Sequence, residues 1–219
     1  GVDSNPKGGV FYVESGDLTL EGCVLDSNMV SSNGNGALIY TESDSVSVTM
    51  LSTTAIGNTG DEMLRFENGG SLSADSTIIS GNSGHGIYSS AGELTVNFTN
   101  VNIDTNEGYG ITSSGDKTFQ NVSISGNGSD GVNGSGSLEL NLVTIDGNGG
   151  AGITGATGSI TADSTSISTN NGQAIISSCE LAFTNVDVNE NGAGISGSGT
   201  TDFTNVNIND NGGYGITSS

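Results

Sequence analysis

The sequence predicts an all-β chain that folds as a right-handed parallel β-helix (solenoid) of about nine coils, each of roughly 21 residues. A short motif recurs at nearly constant spacing, apolar and polar residues alternate within each copy, and Gly, Asn and Ser separate the alternating segments. No window has the 3.6-residue apolar stripe of an amphipathic helix. We therefore expect residues 1–219 to form a single β-helix domain, with irregular first coils in 1–70 and regular coils in 71–219.

The recurring motif is an apolar residue, two polar residues, an Asn, and a Gly-rich step into Gly-Ile. It is clear from Ile145 through Asn148 to Gly152-Ile153. From Asn82 onward, successive Asn residues are 24, 21, 21, 22, 21 and 20 positions apart. Asn tolerates the left-handed backbone of tight turns, and stacked Asn side chains hydrogen-bond to one another. We therefore predict a structural ladder at Asn82, Asn106, Asn127, Asn148, Asn170, Asn191 and Asn211.

Alternation within each copy indicates strands with one buried face. Leu94, Val96 and Phe98 alternate with polar residues, which is the period of a β-strand. Coils that stack at about 4.8 Å would build a rod on the order of 45 Å long. A second, partial Asn column falls at another corner of the coil, and it predicts a second ladder at Asn100, Asn121, Asn185 and Asn205.

The charge balance excludes several partners. The formal net charge is −21, and Lys7, Arg65 and Lys117 are the only Lys or Arg residues, so we expect no nucleic-acid partner and no polyanionic substrate. We expect Arg65 to form exposed ion pairs with Glu62 and Glu67, and Lys117 to do so with Asp116. No apolar run is long enough to span a membrane.

With these repeats, the chain resembles the right-handed parallel β-helix proteins of the pectate-lyase-like superfamily, from about residue 8 to residue 219. Segments such as Gly9-Val-Phe-Tyr12 and Gly36-Ala-Leu-Ile-Tyr40 are also similar in style to bacterial or protist surface repeats and autotransporter passengers. Those repeats carry Phe-x-x-Asn, whereas this chain has Phe98-Thr-Asn100. The superfamily includes lyases, hydrolases, tailspikes and adhesins, so the resemblance implies a fold and leaves the activity open.

The sequence offers little for catalysis. Gly84-His85-Gly86 resembles one motif of polygalacturonase-like hydrolases, but the Asn-Thr-Asp, Asp-Asp and Arg-Ile-Lys motifs of those enzymes are missing. Glycoside hydrolysis requires two closely placed carboxylates. His85 also falls at a position that holds Tyr109 and Asp130 in later copies. We therefore predict that the chain is not an enzyme and that none of its residues is catalytic.

Ligand-binding residues are equally scarce. Acidic residues near the Asn corner leave Ca²⁺ as the one ion to consider, but without EF-hand spacing we expect no metal site and no cofactor. Cys23 and Cys179 should lie roughly 33 Å apart, too far for a disulfide bond. Cys23 falls in the inward Val/Thr column, so we expect a buried free thiol, with intermolecular pairing as the alternative. Tyr12, Tyr40 and Tyr88 share a position in the first coils and predict a short exposed aromatic row.

Together these features predict a structural or adhesive β-helical rod: a surface stalk, a filament subunit or an adhesin passenger. The alternative is a carbohydrate-binding or polysaccharide-degrading β-helix module. We expect an extracellular or cell-surface location, with a glycan or another cell-surface component as partner. The terminal segments carry no capping helix, which predicts head-to-tail self-association or flanking repeats of a longer chain.

Overall fold

The computed structural model describes residues 9–30 and 36–218, and these form a parallel β-solenoid of about eight turns. The described residues contain strands and turns but no helix, so the predicted fold class is confirmed and the predicted number of coils is close. Each complete coil contributes one strand to each of three faces. Within the described residues, no helix could cross a membrane.

The first face begins at the N-terminal end and has ten strands. They are β1 (Phe11–Val13), β4 (Ile39–Thr41), β7 (Glu62–Phe66), the first part of β10 (His85–Thr99), β12 (Ile111–Ser114), β15 (Val132–Asn133), β18 (Ile153–Thr154), β21 (Gln173–Ser177), β24 (Ala193–Gly197) and β27 (Ile216–Ser218).

The second face follows the first in each coil, and β10 belongs to both because it turns the corner between them. Its strands are β2 (Asp17–Glu21), β5 (Ser47–Leu51), β8 (Gly70–Asp75), the last part of β10, β13 (Lys117–Gln120), β16 (Leu138–Asn141), β19 (Ser159–Asp163), β22 (Glu180–Thr184) and β25 (Thr201–Thr204).

The third face is the most regular. Its nine strands are β3 (Val24–Asp26), β6 (Thr54–Ile56), β9 (Ile78–Ser80), β11 (Asn102–Asp104), β14 (Ser123–Ser125), β17 (Thr144–Asp146), β20 (Ser166–Ser168), β23 (Asp187–Asn189) and β26 (Asn207–Asn209). Eight spacings of about 4.8 Å give this face a length of about 38 Å.

The parallel register stacks like on like. Ile103 pairs with Ile124, which pairs with Ile145, and all three side chains are fully buried. Phe98 stacks on Phe119 with ring centroids 5.4 Å apart. Because each coil buries its apolar side chains against those of its neighbours, the core is a narrow column along the rod axis.

Two tight corners in each coil require a left-handed backbone. One lies between the second and third faces, and the other follows the third face. The chain places Gly, Ser, Asn, Thr, Asp or Glu there at nearly every coil; Gly adopts this conformation without a Cβ penalty, and Asn and Asp tolerate it best among the others. The first corner is occupied by Gly22, Ser52, Ser76, Asn100, Asn121, Leu142, Ser164, Asn185 and Asn205.

The two cysteines are both free thiols. Cys179 is buried, whereas Cys23 is only partly buried because it lies in the first described coil. The expectation that Cys23 is buried is therefore only partly met, while the absence of a bond between Cys23 and Cys179 agrees with their positions in distant coils.

Candidate functional site

The predicted Asn ladder is present and extends further toward the N-terminus than expected. From Asn58 onward, each side-chain amide donates to the Oδ1 of the Asn in the next coil, at 2.8–3.0 Å. Asn28 does the same at 3.0 Å. The ladder therefore consists of the seven predicted residues together with Asn28 and Asn58.

Each ladder amide between the two ends, from Asn58 to Asn191, connects three coils. Asn148 Nδ2 donates to Asn170 Oδ1 in the next coil and to the Ile124 carbonyl in the preceding one. Its Oδ1 accepts from the backbone N–H and the Nδ2 of Asn127. Asn148 is fully buried, and these four bonds satisfy the amide. The ladder therefore contributes to stability and offers no group to a ligand.

The second predicted ladder is shorter and lies at the surface. Asn121 Nδ2 donates to Asn100 Oδ1 at 2.7 Å, and Asn205 Nδ2 donates to Asn185 Oδ1 at 3.2 Å. All four residues lie in the left-handed corner between the second and third faces. The row is exposed, and Leu142 and Ser164 separate its two halves.

Leu142 is the exception at this corner. Its φ is 55°, and its side chain is 52% exposed. It is the one apolar residue among the described non-glycine residues with positive φ. A left-handed backbone costs such a residue about 1–2 kcal/mol. Because the side chain is half exposed, it buries too little apolar surface to offset that cost. Two surface depressions meet at this side chain.

The predicted aromatic row lies on the outer side of the first face but differs from expectation. Tyr12, Tyr40, Arg65 and Tyr88 occupy one column in successive coils. The Tyr12 and Tyr40 rings stack at 5.8 Å between centroids, and the Arg65 guanidinium lies 5.2 Å from the Tyr88 centroid. Arg65 therefore separates the Tyr12–Tyr40 pair from Tyr88 and itself forms a cation–π contact with Tyr88.

Tyr40 corrects the prediction of an exposed row. It is only 2% exposed, because the neighbouring side chains of the column cover it, whereas Tyr12 remains 47% exposed. In the Tyr12–Tyr40 pair the ring faces are turned toward each other. These faces are therefore not available as a flat platform for a sugar ring.

Arg65 pairs with both expected carboxylates, but the prediction that these pairs are exposed is wrong, because Glu62 is buried and the Arg65 side chain is only 14% exposed. Its Nη1 lies 2.7 Å from Glu62 Oε1, and its Nε lies 2.8 Å from Glu67 Oε2. Burial raises the pKa of Glu62, with Arg65 opposing that shift. For Glu67, the hydrogen bond and charge of Arg65 outweigh burial and lower the pKa. The Glu62 Oε2 atom is buried without a hydrogen bond, so this carboxylate is only half satisfied.

His85 lies beside this group and contacts two tyrosine rings. Its ring stacks on Tyr88 at 5.6 Å and contacts Tyr109 at 5.0 Å. Its Nδ1 accepts the backbone N–H of Tyr109 at 3.0 Å, and burial lowers its pKa although Asp61 opposes that shift. The ring therefore joins one coil to the next.

Lys117 contradicts the predicted exposed ion pair with Asp116. The side chain is 1% exposed and points inward, in register with Val96 and Leu138. Burial lowers its pKa to about 8, and Asp116 opposes that shift. Its Nζ donates to three backbone carbonyls, those of Ser113, Gly115 and Ser135, at 2.8–3.0 Å.

No cluster of three or more His, Cys, Asp or Glu side chains suited to a metal ion occurs in the described part of the chain. The acidic residues near the Asn corner instead accept hydrogen bonds from hydroxyl groups, as Asp146 does from Ser168 at 3.1 Å.

Comparison with known proteins identifies no relative. No family model matches the chain, and neither a curated protein nor a solved structure matches it. The fold and the side-chain chemistry therefore carry the functional argument.

Proposed function

We propose that the chain is a non-catalytic, extracellular or cell-surface rod with a structural or adhesive role. The buried Asn ladder carries this proposal, because each amide from Asn58 to Asn191 joins three consecutive coils. Parallel strands join the same coils on three faces. A solenoid bonded in this way is stiff and has few segments that open locally for proteases. The proposal includes the resemblance to pectate-lyase-like β-helices and to surface repeats, which agrees with this role.

The distribution of charge supports a role at a surface. Arg65 is engaged by two carboxylates, and Lys117 lies in the core. The outer side of the described residues is therefore almost entirely neutral or acidic. A rod with a net charge of −21 repels copies of itself sideways and does not attract polyanions.

The last described coil suggests how such a rod would be extended. Ile216 is 47% exposed, and Phe203 and Ile208 are partly exposed. Their equivalents one coil earlier, Phe183 and Val188, are buried. We propose that a further β-coil covers this face, supplied by a second copy stacked head-to-tail or by flanking repeats of a longer chain.

Electron microscopy and polysaccharide turnover test the role. Purified protein in negative stain, at low salt and with added Ca²⁺, should show straight rods of uniform width, with lengths that reveal whether copies stack. Flexible or globular particles would contradict the proposal. Incubation with neutral and acidic polysaccharides should release no products, whereas cleavage that His85→Ala abolishes would make the chain an enzyme.

A further inference from the structure

A shallow groove, here called the Leu142 groove, crosses several coils at the corner between the second and third faces. It consists of two neighbouring depressions of about 500 and 290 Å³ that share Asn121, Leu142 and Thr144. The remaining lining residues are Asn100, Asn102, Val122, Ser123, Val143, Ser164, Thr165, Ser166, Asn185 and Asp187. From Asn100 to Asn185 the groove covers five coils, or about 19 Å at the usual strand spacing.

Leu142 has a conformation that the fold alone does not explain. The same corner position holds Asn121 one coil earlier and Ser164 one coil later, both with similar φ values. An Asn there would suit the backbone better and would continue the exposed amide row. The chain instead keeps an apolar side chain in a disfavoured conformation and half exposed to solvent. Backbone strain of this kind is characteristic of binding sites.

The polar lining defines the chemistry of a ligand. Amides and hydroxyl groups of Asn102, Asn121, Thr144 and Ser166 donate and accept hydrogen bonds without carrying charge. The one carboxylate of the lining, Asp187, already accepts a hydrogen bond from Asn207 at 2.8 Å. The lining carries no cationic side chain for an anion, and the net charge of the chain disfavours anions further. A single carboxylate is too few oxygen ligands for a cation site, so the lining favours an uncharged ligand.

We propose that the Leu142 groove binds a neutral glycan chain laid along the rod axis. The amides and hydroxyls hydrogen-bond the sugar hydroxyls, and Leu142 packs against an apolar C–H face of one sugar unit. A chain ligand fits because each coil places an outward polar side chain at the same strand position along the groove, from Asn102 to Asp187. This inference rests on the proposed adhesive role and names the class of partner that the rod holds.

Isothermal titration calorimetry with defined oligosaccharides tests the proposal. The probes are hexasaccharides of β-1,4-glucan, β-1,4-xylan, β-1,4-mannan and chitin, with hexagalacturonate as the anionic comparison. The wild-type chain should bind at least one neutral probe, and hexagalacturonate should bind more weakly. Leu142→Asn removes the apolar contact and relieves the strain. It should weaken binding about tenfold, the effect of losing one such contact, while Tm rises by about 2–4 °C.

A matched control separates the groove from apolar surface in general. Ile176 is 39% exposed on the first face, so Ile176→Asn makes a similar change outside the groove and should leave the affinity unchanged. Asn121→Ala, which removes an amide shared by both depressions, should weaken binding.

Three results would overturn the proposal: no binding of any neutral probe at millimolar concentration, unchanged affinity in Leu142→Asn, or equal loss in Ile176→Asn. Each of these would leave the rod shape seen by microscopy intact, so failure of the groove is distinguishable from failure of the proposed role. Cleavage of a bound probe would instead refute the non-catalytic role.

Discussion

Lys117 places an amino group inside an apolar column, and its titration should be visible in the stability of the whole chain. Burial lowers its pKa to about 8, against an ordinary value of 10.5. Between these pH values the folded chain has released the proton while the unfolded chain still holds it. The unfolded state binds more protons, so the free energy of unfolding should rise with pH through this window. The difference between these two pKa values corresponds to about 3 kcal/mol in the free energy of unfolding.

Two features of the site act against each other. Burial favours the neutral amine, whereas the carbonyls of Ser113, Gly115 and Ser135 take up all three N–H donors of an ammonium group. If burial dominates, the charged form destabilises the fold below pH 8, and this penalty fades between pH 8 and 10.5. If the carbonyls dominate, Lys117 stays charged and the window disappears.

Urea unfolding at pH 7.5 and pH 10, followed by circular dichroism, measures the balance. The wild-type chain should gain up to about 3 kcal/mol relative to Lys117→Met between the two pH values, because Met has no proton to lose. Leu138→Met, in the same inward column one coil later, controls for placing Met in this core. A difference between wild type and Lys117→Met that stays constant within about 0.5 kcal/mol would refute the lowered pKa.

Three further predictions concern the ladder, the glycine column and the Arg65 ion pairs. Asn148→Ala removes hydrogen-bond partners from buried groups in the preceding and the following coil and should lower the free energy of unfolding by about 2–4 kcal/mol. In the same urea titration Asn121→Ala in the exposed row should cost only about 1 kcal/mol, chiefly because Ala tolerates the left-handed corner less well than Asn does. Gly152→Ala places a Cβ 2.6 Å from the Ala174 carbonyl oxygen and 2.7 Å from Ile167 Cγ2, and should lower the free energy of unfolding by about 1–3 kcal/mol. Ala174→Gly, at the equivalent position one coil later, introduces no such clash and serves as the control. Arg65→Met leaves the buried Glu62 carboxylate without its cation, so the pKa of Glu62 should rise further. The variant should then lose more Tm at pH 7 than at pH 4.5, because a raised carboxyl pKa stabilises the protonated fold only at low pH; Glu62→Gln in the same background should reduce the pH dependence, and the remainder comes from Glu67, whose pKa Arg65 no longer lowers.

The regular parts of the fold were readable from the sequence because their residues repeat in register. The seven predicted ladder residues recur every 20–24 residues together with the apolar positions, and a parallel solenoid places equivalent positions on top of each other. Asn28 and Asn58 fall in the irregular first coils of residues 1–70, where the first step of the ladder spans 30 residues.

The exceptions to the repeat were harder to read, although the alignment of copies contained the signal. Lys117 aligns with Val96 and Leu138, which places it inside the coil, but its neighbour Asp116 suggested a surface ion pair. Leu142 aligns with Asn121 and Ser164, which places an apolar residue at a left-handed corner. Tyr40 was misjudged because strand alternation says which way a side chain points and does not show what covers it.

The Asn ladder also gives the rod a direction. From Asn28 to Asn191, each side-chain amide donates to the carbonyl oxygen of the amide that follows it in the chain, so the amide dipoles are aligned and reinforce one another. The two ends of the ladder are therefore chemically unlike. A coil added beyond Asn211 continues the series only if it arrives with an acceptor facing back along the axis, which a neighbour in the opposite orientation does not provide. The column of buried amides thus selects one polarity for any assembly that extends the rod.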